Sequence, residues 1–412
     1  MKKASIISIG NELLSGRTID TNAACLSSQL LSIGIPTESA YTIADRIDSI
    51  VRTLTLAAGD ADIVLVTGGL GPTDDDVTRQ GFAEFLKSKL QLDKGQLKKI
   101  QDFFSARNLQ MPEKNKCQAY IPAYAKALDN NLGTAPGIFA EQNGKLFIAM
   151  PGVPSEMKDM FENSVFEHLK KLAADQAIVV RKIKCFGAGE STIAEMLGDL
   201  MHRDRNPLIN CTVHYGVITL HIIAAATDKS DAEQMAQKDE QMLRNIIGQF
   251  VYGSDEQSLA DVVADQLTQQ KKTIALAESC TGGTLAKLLT DIPGASEYFT
   301  GGWVSYSNEA KTSELDIPMD MIGKHGAVSS NVAQAMAKNA RKKAGADFAI
   351  AITGIAGPTG QGPQKPVGLV YISLDSAKGC ETKRFIFSGD RESTRLRAAQ
   401  TALNLLRLKL QI

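Results

Sequence analysis

The feature that most constrains the fold is a short run that is apolar at every position, Ile63-Val64-Leu65-Val66, and that ends at Gly68-Gly69. Such a strand must be covered on both faces, which is typical of central strands in parallel sheets. Similar strand-like runs lie at residues 5–9 and 146–150. Because helical spacing separates the runs, the pattern predicts repeated β-α units in a doubly wound sheet, with ligands at the carboxyl ends of its strands.

A chain of 412 residues is too long for one ordinary hydrophobic core, and the pattern of predicted helices and strands changes twice along it. Residues 1–172 hold the β-α units, with helices predicted at 18–33, 47–58, 75–90 and 154–172. Residues 173–252 predict a small α+β domain, with strands at 179–186 and within 210–225 and with helices at 190–202 and 231–247. Residues 253–412 predict a second α/β domain. Its strands are expected at 273–277, 302–306, 348–352 and 367–374, and its helices at 258–269, 282–290, 330–343 and 392–410.

Composition excludes several classes of protein. The net charge of −1 provides no basic field that would attract nucleic acid or an anionic membrane. The six cysteines are scattered without a C-x-x-C pair, which disfavours zinc sites and a disulfide framework. No apolar stretch approaches the roughly 18 residues that span a bilayer. We therefore expect a soluble cytoplasmic protein.

A candidate nucleophile, Ser279, follows the strand predicted at 273–277 and precedes a helix. The backbone amides of Thr281, Gly282 and Gly283 are predicted to surround its hydroxyl at the helix N-terminus. Such donors stabilise an oxyanion or hold a phosphate. The alternative is that Ser279 only caps the helix and that the glycines allow close packing.

A candidate base lies in the segment Trp303-Val304-Ser305-Tyr306-Ser307-Asn308-Glu309-Ala310-Lys311. His325 is the only histidine of the third region, so a Ser-His-Asp arrangement is poorly supplied there. A lysine away from water loses its proton near neutral pH and can activate a serine, which predicts Lys311 as the base. Tyr306 would relay the proton or orient the lysine. The alternative is a solvated Lys311 and a Tyr306 that belongs to the core.

The glycine-rich segment at residues 68–78 suits a phosphate-binding turn between a strand and a helix. It matches neither a Walker loop nor the G-x-G-x-x-G pattern. Three consecutive carboxylates, Asp74, Asp75 and Asp76, would repel a bare phosphate unless a divalent cation lay between them. The polar residues Asn11, Glu12, Asp20 and Asn22 are expected at the same sheet edge. The alternative for all these groups is helix capping.

Six ordered motifs of the third region closely resemble the nicotinamide mononucleotide deamidase domain of the CinA (competence/damage-inducible protein A) family. They are Ala277-Glu278-Ser279-Cys280-Thr281-Gly282-Gly283, Tyr306-Ser307-Asn308-Glu309-Ala310-Lys311, Gly326-Ala327-Val328-Ser329, Thr353-Gly354-Ile355-Ala356-Gly357-Pro358, Lys365-Pro366-Val367-Gly368 and Ser388-Gly389-Asp390-Arg391. The resemblance implies that Ser279 attacks the carboxamide with help from Tyr306 and Lys311, without a cofactor. The residues expected to bind nicotinamide mononucleotide are Thr281, Gly282, Gly283, Asn308, Thr353, Gly354 and Arg391. For Thr353-Gly354 and Arg391, an ordinary loop and a turn-stabilising arginine are the alternatives.

The first region is similar to the N-terminal domain of the same family, which has a three-layer fold like that of molybdopterin-binding proteins. The resemblance implies metal-dependent hydrolysis of ADP-ribose to AMP and ribose 5-phosphate. Leu70 replaces the threonine usual in molybdopterin proteins and favours the pyrophosphatase. The expected ADP-ribose ligands are Asn11, Glu12, Asp20, Asn22, Gly68, Gly69, Gly71, Pro72 and Thr73. The expected metal ligands are Asp74, Asp75 and Asp76.

The middle region resembles the KH-like connector of the family. Its Gly187-Ala188-Gly189-Glu190 does not supply the G-x-x-G loop of a nucleic-acid-binding KH module, so a spacer or a dimer contact is expected. The family resemblance alone implies a homodimer. The competing hypotheses are a molybdopterin-cofactor binder with a decayed deamidase and a binding protein in DNA uptake or repair.

Overall fold

The computed structural model describes residues 2–173, 177–360, 362 and 365–411. Residues 174–176, at the start of the predicted middle domain, lie outside this part of the chain. The chain divides into two compact units. One comprises the residues up to Val180 together with Ala224–Ala236, and the other comprises Arg181–Ile223 and Gln237–Ile412. Among the described residues, no helix combines the length and the apolar character needed to cross a membrane.

A mixed sheet and its helices make up most of the first unit. The strands are β1 (Ala4–Ile9), β2 (Thr37–Ile43), β3 (Ile63–Thr67), β4 (Leu90–Leu92), β5 (Tyr120–Pro122), β6 (Lys126–Leu128), β7 (Gly137–Gln142) and β8 (Lys145–Met150). The helices are α1 (Asn11–Leu14), α2 (Thr21–Ser32), α3 (Ile47–Asp60), α4 (Thr78–Phe85), α5 (Lys94–Ser105), α6 (Pro154–Met160) and α7 (Phe166–Leu172). The sheet has the order β2-β1-β3-β8-β7-β6, and its first four strands are parallel.

The apolar strand β3 lies between β1 and β8, as predicted for a strand covered on both faces. Ile63 and Leu65 pack into one hydrophobic cluster, whereas Val64 and Val66 pack into another on the opposite face. All five residues of β3 are buried. The alternation of side chains along the strand therefore produces the three layers that the doubly wound pattern predicted.

The first unit differs from the sequence-based expectation in the helix predicted at 75–90 and in the elements that were not predicted, which are β2, α5 and β4 to β7. The helix predicted at 75–90 is only α4, because residues 68–77 form an extended glycine-rich loop before it. Strand β2 was not predicted at all. It is the edge strand, half-buried and largely polar, and so it lacks the apolar run that marks the central strands.

The middle region forms a small four-stranded sheet with two helices, as predicted. Its elements are β9 (Ala177–Cys185), α8 (Glu190–Leu197), β10 (Leu208–His214), β11 (Val217–Ala226), α9 (Lys229–Ile247) and β12 (Val251–Ser254). The sheet has the order β10-β11-β9-β12. The Gly187–Glu190 segment connects a strand to a helix, whereas a nucleic-acid-binding KH loop connects two helices.

The C-terminal region is a second α/β domain. Its strands are β13 (Ile274–Glu278), β14 (Phe299–Val304), β15 (Phe348–Gly354), β16 (Leu369–Ser376) and β17 (Gly379–Ile386). Its helices are α10 (Leu259–Gln269), α11 (Thr284–Thr290), α12 (Asn308–Leu315), α13 (Met319–His325), α14 (Ser330–Ala344) and α15 (Arg391–Leu410). The sheet order is β14-β13-β15-β16-β17, with β14, β13 and β15 parallel, so the carboxyl ends of these three strands adjoin.

A buried arginine connects helix α15 to the middle region within the second unit. Arg407 is 2% exposed, and its guanidinium donates to the carbonyl oxygens of Val251 at 3.2 Å and Gln249 at 3.4 Å. It also donates to Asn404 Oδ1 at 3.0 Å. Since a guanidinium stays charged, these acceptors offset the cost of removing it from water.

The loop after β3 gives a prediction about stability. Gly68 has φ +102°, and a Cβ at this position would lie 2.1 Å from the carbonyl oxygen of Ile9. Gly68→Ala should lower the free energy of unfolding of the first unit by about 1–3 kcal/mol or more, because backbone strain adds to the clash. Gly59→Ala is the matched control, since helix α3 leaves open space around Gly59. That change should raise stability by about 0.5–1 kcal/mol. Thermal unfolding followed by circular dichroism checks both signs, and equal shifts would contradict the argument.

Candidate active sites

The sequence-predicted nucleophile and base of the C-terminal domain are in direct contact. Ser279 follows β13, and Lys311 lies in the first turn of α12. The Nζ atom of Lys311 lies 3.0 Å from the Oγ atom of Ser279. Lys311 is 1% exposed and Ser279 is 8% exposed, so the pair is shielded from water. The alternatives of a solvated lysine and a capping serine are excluded, because α11 begins at Thr284 with Gly283 as its N-cap.

The burial of Lys311 disfavours its charged form. Its amine donates to the carbonyl oxygens of Ser305 at 2.8 Å and Tyr306 at 3.3 Å. Burial lowers the pKa of Lys311, because the charged form loses its hydration. A neutral amine has two N–H donors for these carbonyls and one lone pair for the Ser279 hydroxyl. The arrangement can therefore remove the hydroxyl proton.

The turn that follows Ser279 differs from the prediction. The buried carboxylate of Glu278 accepts hydrogen bonds from the amides of Gly283 at 3.0 Å, Leu285 at 3.1 Å and Ala286 at 2.7 Å. The amide of Gly282 donates to the carbonyl oxygen of Ser279. The prediction that the Gly282 and Gly283 amides face a ligand is therefore wrong. A negative side chain occupies the N-terminus of α11, where it also complements the helix dipole.

Tyr306 takes a different position from the one predicted. Its side chain is 57% exposed, and its hydroxyl accepts a hydrogen bond from Arg391 at 2.7 Å. Only the backbone carbonyl of Tyr306 contacts Lys311. Neither proton relay through the phenol nor a place in the core fits this geometry. Arg391 also donates to the carbonyl oxygen of Gly357 at 3.0 Å, so one guanidinium connects two loops.

The remaining predicted ligands lie at the carboxyl ends of the same parallel strands. The Thr353 hydroxyl donates to the carbonyl oxygen of Ala327 at 2.9 Å, and Thr353 is buried. Gly354 lies against β16, where a Cβ would come within 2.6 Å of a backbone oxygen. Asn308 is exposed at the start of α12, whereas Thr281 is fully buried. The structure therefore places these residues along one edge of the sheet, around Ser279.

Arg395 is a site residue that the sequence analysis missed. Its Nε and Nη2 atoms both donate to the carbonyl oxygen of Thr281, at 2.9 and 2.8 Å, and Nη2 also donates to the Thr284 hydroxyl. Arg395 lies four residues after Arg391 on α15, a spacing that places both side chains on one helix face. This spacing was the available signal.

The first unit has a cavity of about 420 Å³ at the carboxyl ends of β1, β3 and β8. The predicted ligands among its lining residues are Glu12, Gly68, Gly69, Gly71, Pro72, Asp75 and Asp76. Asp45 also lines the cavity and was missed, because it follows the unpredicted strand β2. Burial raises the pKa of Asp45, and the charges of Glu12 and Asp75 add to this effect. Acidic groups therefore share a cavity with a glycine-rich loop.

The three consecutive aspartates do not act as one group. The side chain of Asp74 is 96% exposed, and its carboxylate lies 3.6 Å from Nζ of Lys114. Asp75 and Asp76 both accept hydrogen bonds from the Thr73 hydroxyl instead of capping α4. In the described ranges, no three Asp, Glu, His or Cys side chains form a complete ligand set for a metal ion.

The other predicted polar residues of the first unit have structural partners. Asp20 caps α2 by accepting from the amide of Ala23. The backbone amide of Asn11 donates to Asp45. The side chain of Asn22 donates to the carbonyl oxygen of Gly152. Capping thus explains Asp20, and none of the three lines the cavity.

A buried arginine holds the glycine-rich loop. Arg79 is 3% exposed and donates to the carbonyl oxygens of Leu70 at 2.6 Å and Gly71 at 2.9 Å. Burial lowers its pKa, which the nearby Asp76 opposes. Because these carbonyls turn toward Arg79, the shape of the loop depends on a positive charge beneath it. No sequence pattern singled out this arginine.

Three family models match consecutive parts of the chain. Residues 5–171 match a probable molybdopterin binding domain, residues 180–253 match the damage-inducible protein CinA KH domain, and residues 256–410 match the CinA C-terminal domain. The fold of each part agrees with the description of its family.

The chain is also similar to full-length relatives and, over parts of its length, to solved structures. A CinA-like protein of Dictyoglomus thermophilum and one of Kosmotoga olearia are each 41% identical, with 98% of both chains covered. The crystal structure of the protein CinA from Thermoplasma acidophilum is 34% identical and has a TM-score of 0.39. It covers 41% of this chain and 98% of its own. Competence damage-inducible protein A from Klebsiella pneumoniae is 37% identical, with a TM-score of 0.37, and covers 37% of this chain and 95% of its own.

Proposed function

The chain belongs to the CinA family over nearly its whole length, and on this basis we propose that its C-terminal domain is a nicotinamide mononucleotide deamidase. The reaction converts nicotinamide mononucleotide and water into nicotinic acid mononucleotide and ammonia. The observation that supports this proposal is the 3.0 Å contact between the Lys311 amine and the Ser279 hydroxyl in a site shielded from water.

The residues suit a two-step acyl transfer. Lys311 takes the proton of Ser279 as Oγ attacks the carboxamide carbon and forms a tetrahedral intermediate. The C–N bond then breaks, the lysine returns the proton to the leaving nitrogen, and ammonia departs from an acyl-serine. A water molecule, deprotonated by the same amine, attacks the ester carbon, and the C–Oγ bond breaks as the amine returns the proton to Ser279 Oγ and the carboxylic acid leaves. No cofactor is needed for these steps.

The substrate phosphate requires a cationic group outside the nucleophile turn. Glu278 already occupies the N-terminus of α11, so that helix cannot supply the phosphate site. Arg391, which is exposed at the start of α15, carries a positive charge beside the Tyr306 phenol. We assign the phosphate to Arg391, because a guanidinium binds phosphate through paired N–H groups.

The nucleophile assignment gives the first prediction of activity. Ser279→Ala should lower the rate of ammonia release from nicotinamide mononucleotide by at least about a thousandfold, because no oxygen remains to attack the amide. Ser313→Ala, on the exposed face of α12, is the control and should keep normal activity. Near-normal ammonia release by a folded Ser279→Ala protein would remove Ser279 from the mechanism.

The pH dependence tests the role of Lys311. Only the neutral amine accepts a proton, so kcat/KM should rise with pH up to the pKa of Lys311, which burial places below the ordinary 10.5. Lys311→Arg should be inactive at every accessible pH, because a guanidinium remains protonated. Lys324→Arg, an exposed change, is the control. If Lys311→Arg kept a wild-type acid limb, another group would be the base.

The N-terminal cavity supports a second activity, the hydrolysis of ADP-ribose to AMP and ribose 5-phosphate. Its acidic side chains, Glu12, Asp45 and Asp75, oppose a bare diphosphate. Carboxylate oxygens suit a hard divalent cation, which commonly binds through one or two carboxylates together with substrate phosphates and water. Asp75, together with Glu12 or Asp45, would hold it, and the substrate diphosphate and water would supply the remaining ligands. Bound there, the cation would neutralise the diphosphate and polarise its phosphorus-oxygen bonds.

Two neighbouring aspartates give a matched test of this proposal. Asp75→Asn should reduce Mg²⁺- or Mn²⁺-dependent AMP release from ADP-ribose by about tenfold or more, because a carboxylate ligand is lost. Asp74→Asn should retain activity, since Asp74 points to Lys114 outside the cavity. Chromatography of the products gives both rates. If ADP-ribose stayed intact with any divalent metal while a molybdopterin precursor bound tightly, the domain would be a cofactor-binding module instead.

We further propose that the protein is a cytoplasmic homodimer and that its two activities serve the salvage of pyridine nucleotides. The six cysteines are unpaired, as a reducing compartment requires. The intact Ser279–Lys311 pair disfavours a decayed deamidase, and the balanced charge disfavours a DNA-binding role. Sedimentation of the purified protein should give the mass of a dimer, and the mass of a monomer would refute this proposal.

A further inference from the structure

The cation site proposed above leaves out one carboxylate of the N-terminal cavity. Glu156 lies in the first turn of α6, which begins shortly after β8, and it lines the cavity. In the sheet, β8 is two strands away from β1 and three away from β2, the strands that precede Glu12 and Asp45. Because neighbouring strands lie about 4.8 Å apart, Glu156 lies at the opposite end of the cavity from these two acids.

The loop before β7 fixes the position of the Glu156 carboxylate. Its Oε2 atom accepts a hydrogen bond from the Asn130 side-chain amide at 2.7 Å, and the same amide donates to the carbonyl oxygen of Ala135 at 2.9 Å. The Asn130 Oδ1 atom accepts from the backbone amides of Leu132 and Gly133. The carboxylate lies directly over Gly133, where a Cβ would overlap both of its oxygen atoms. The loop therefore gives this carboxylate both its space and its orientation.

The Glu156 carboxylate can accept more hydrogen bonds than the protein supplies. A carboxylate has about four acceptor positions, and in the described part of the chain Asn130 is the residue that donates to it. No lysine or arginine of the described ranges forms an ion pair with Glu156. A negative group without a cation repels phosphate but suits neutral hydroxyl donors. The neighbouring 2′ and 3′ hydroxyls of a ribose match the two oxygens of one carboxylate, and acidic residues bind ribose in this way in other doubly wound folds.

The segment that leads to Glu156 packs against the glycine-rich loop. A Cβ at Gly152 would lie 3.2 Å from the Cα atom of Gly68, so the two backbones are close together. A ribose joined to a phosphate on this loop carries its cis-diol only a few ångströms from that phosphate. Ala135 and the half-exposed Val153 also line the cavity and offer apolar surface to the carbon-hydrogen face of a sugar. The cavity therefore has room and matching chemistry for a sugar beside the diphosphate.

We propose that Glu156 binds the cis-diol of a ribose attached to the bound phosphate and so makes the N-terminal domain selective for ribose over deoxyribose. This inference deepens the proposed hydrolysis of ADP-ribose and rests on it. Glu156 accepts hydrogen bonds from the 2′ and 3′ hydroxyls and takes no part in breaking the diphosphate. Both the adenosine ribose and the terminal ribose of ADP-ribose present such a diol, and the binding experiment distinguishes them.

The test measures binding by calorimetry in the presence of Mg²⁺. AMP is compared with 2′-deoxy-AMP, and ribose 5-phosphate with 2-deoxyribose 5-phosphate. The wild type should prefer the ribose form about tenfold or more in one pair, which identifies the ribose that is bound. Glu156→Gln should reduce this preference to less than about threefold, because the amide oxygen keeps the Asn130 contact but the second acceptor is lost. Glu162→Gln, an exposed change of the same charge on the following turn, should keep the wild-type preference.

Kinetics separate ribose binding from the other roles of a carboxylate. With ADP-ribose as substrate, Glu156→Gln should raise KM about tenfold with kcat changed less than about threefold, since the lost contact binds ground state and transition state alike. The Mg²⁺ concentration that gives half the maximal rate should not change. A raised Mg²⁺ requirement would make Glu156 a metal ligand, and a large loss of kcat would make it a proton acceptor. Either result overturns the inference.

Failure of ADP-ribose as a substrate would remain distinguishable, because the binding experiment needs no hydrolysis. If ADP-ribose stays intact while the wild type prefers a ribose ligand and Glu156→Gln loses the preference, the ribose site stands and the proposed reaction falls. If the wild type binds neither member of either pair, or shows the same preference as Glu156→Gln, the inference is overturned whatever the rate of hydrolysis.

Discussion

A lysine amine enclosed by backbone carbonyls is the constraint on which the C-terminal domain depends. Lys311 reaches Ser279 only because β13 and β14 are parallel neighbours whose carboxyl ends adjoin, with α12 starting just beyond β14. The amine meets the carbonyls of Ser305 and Tyr306, which accept hydrogen bonds but carry no full negative charge. A carboxylate in their place would raise the pKa of the lysine and end its use as a base.

The two glycine-rich turns of this chain follow parallel strands in the same way, yet buried charges of opposite sign hold them. Beneath the loop after β3, Arg79 attracts carbonyl oxygens. After β13, Glu278 attracts the amides of the next helix. The first arrangement leaves an acidic cavity that suits a cation with phosphates, whereas the second closes a helix terminus to anions. Strand-turn-helix geometry alone therefore does not define the ligand.

Sequence patterns predicted the parts of the structure that depend on local chemistry. The central strands follow from apolar runs, and Ser279 and Lys311 were candidates that the resemblance to the CinA family selected over capping and solvated alternatives. The edge strands β2 and β17 were missed because they are largely polar and not fully buried, and Asp45 was missed with β2. The contacts of Glu278, Arg79 and Arg395 depend on folding of the backbone around them, which no spacing specifies. Adjacent residues of the same type can also differ in position, since Asp75 lines the cavity whereas the exposed Asp74 lies beside Lys114.

The buried guanidinium near the end of the last helix has a consequence for how this protein can be divided. Arg407 donates hydrogen bonds to the carbonyl oxygens of Gln249 and Val251, which precede the C-terminal domain in the chain. A fragment that starts at 253 would lose those acceptors and would expose the buried Arg407 and its apolar neighbours to solvent. A fragment that begins just before Gln249 keeps these acceptors. A C-terminal domain for separate expression or domain exchange should therefore begin there, upstream of residue 256, where the match to the CinA C-terminal domain starts.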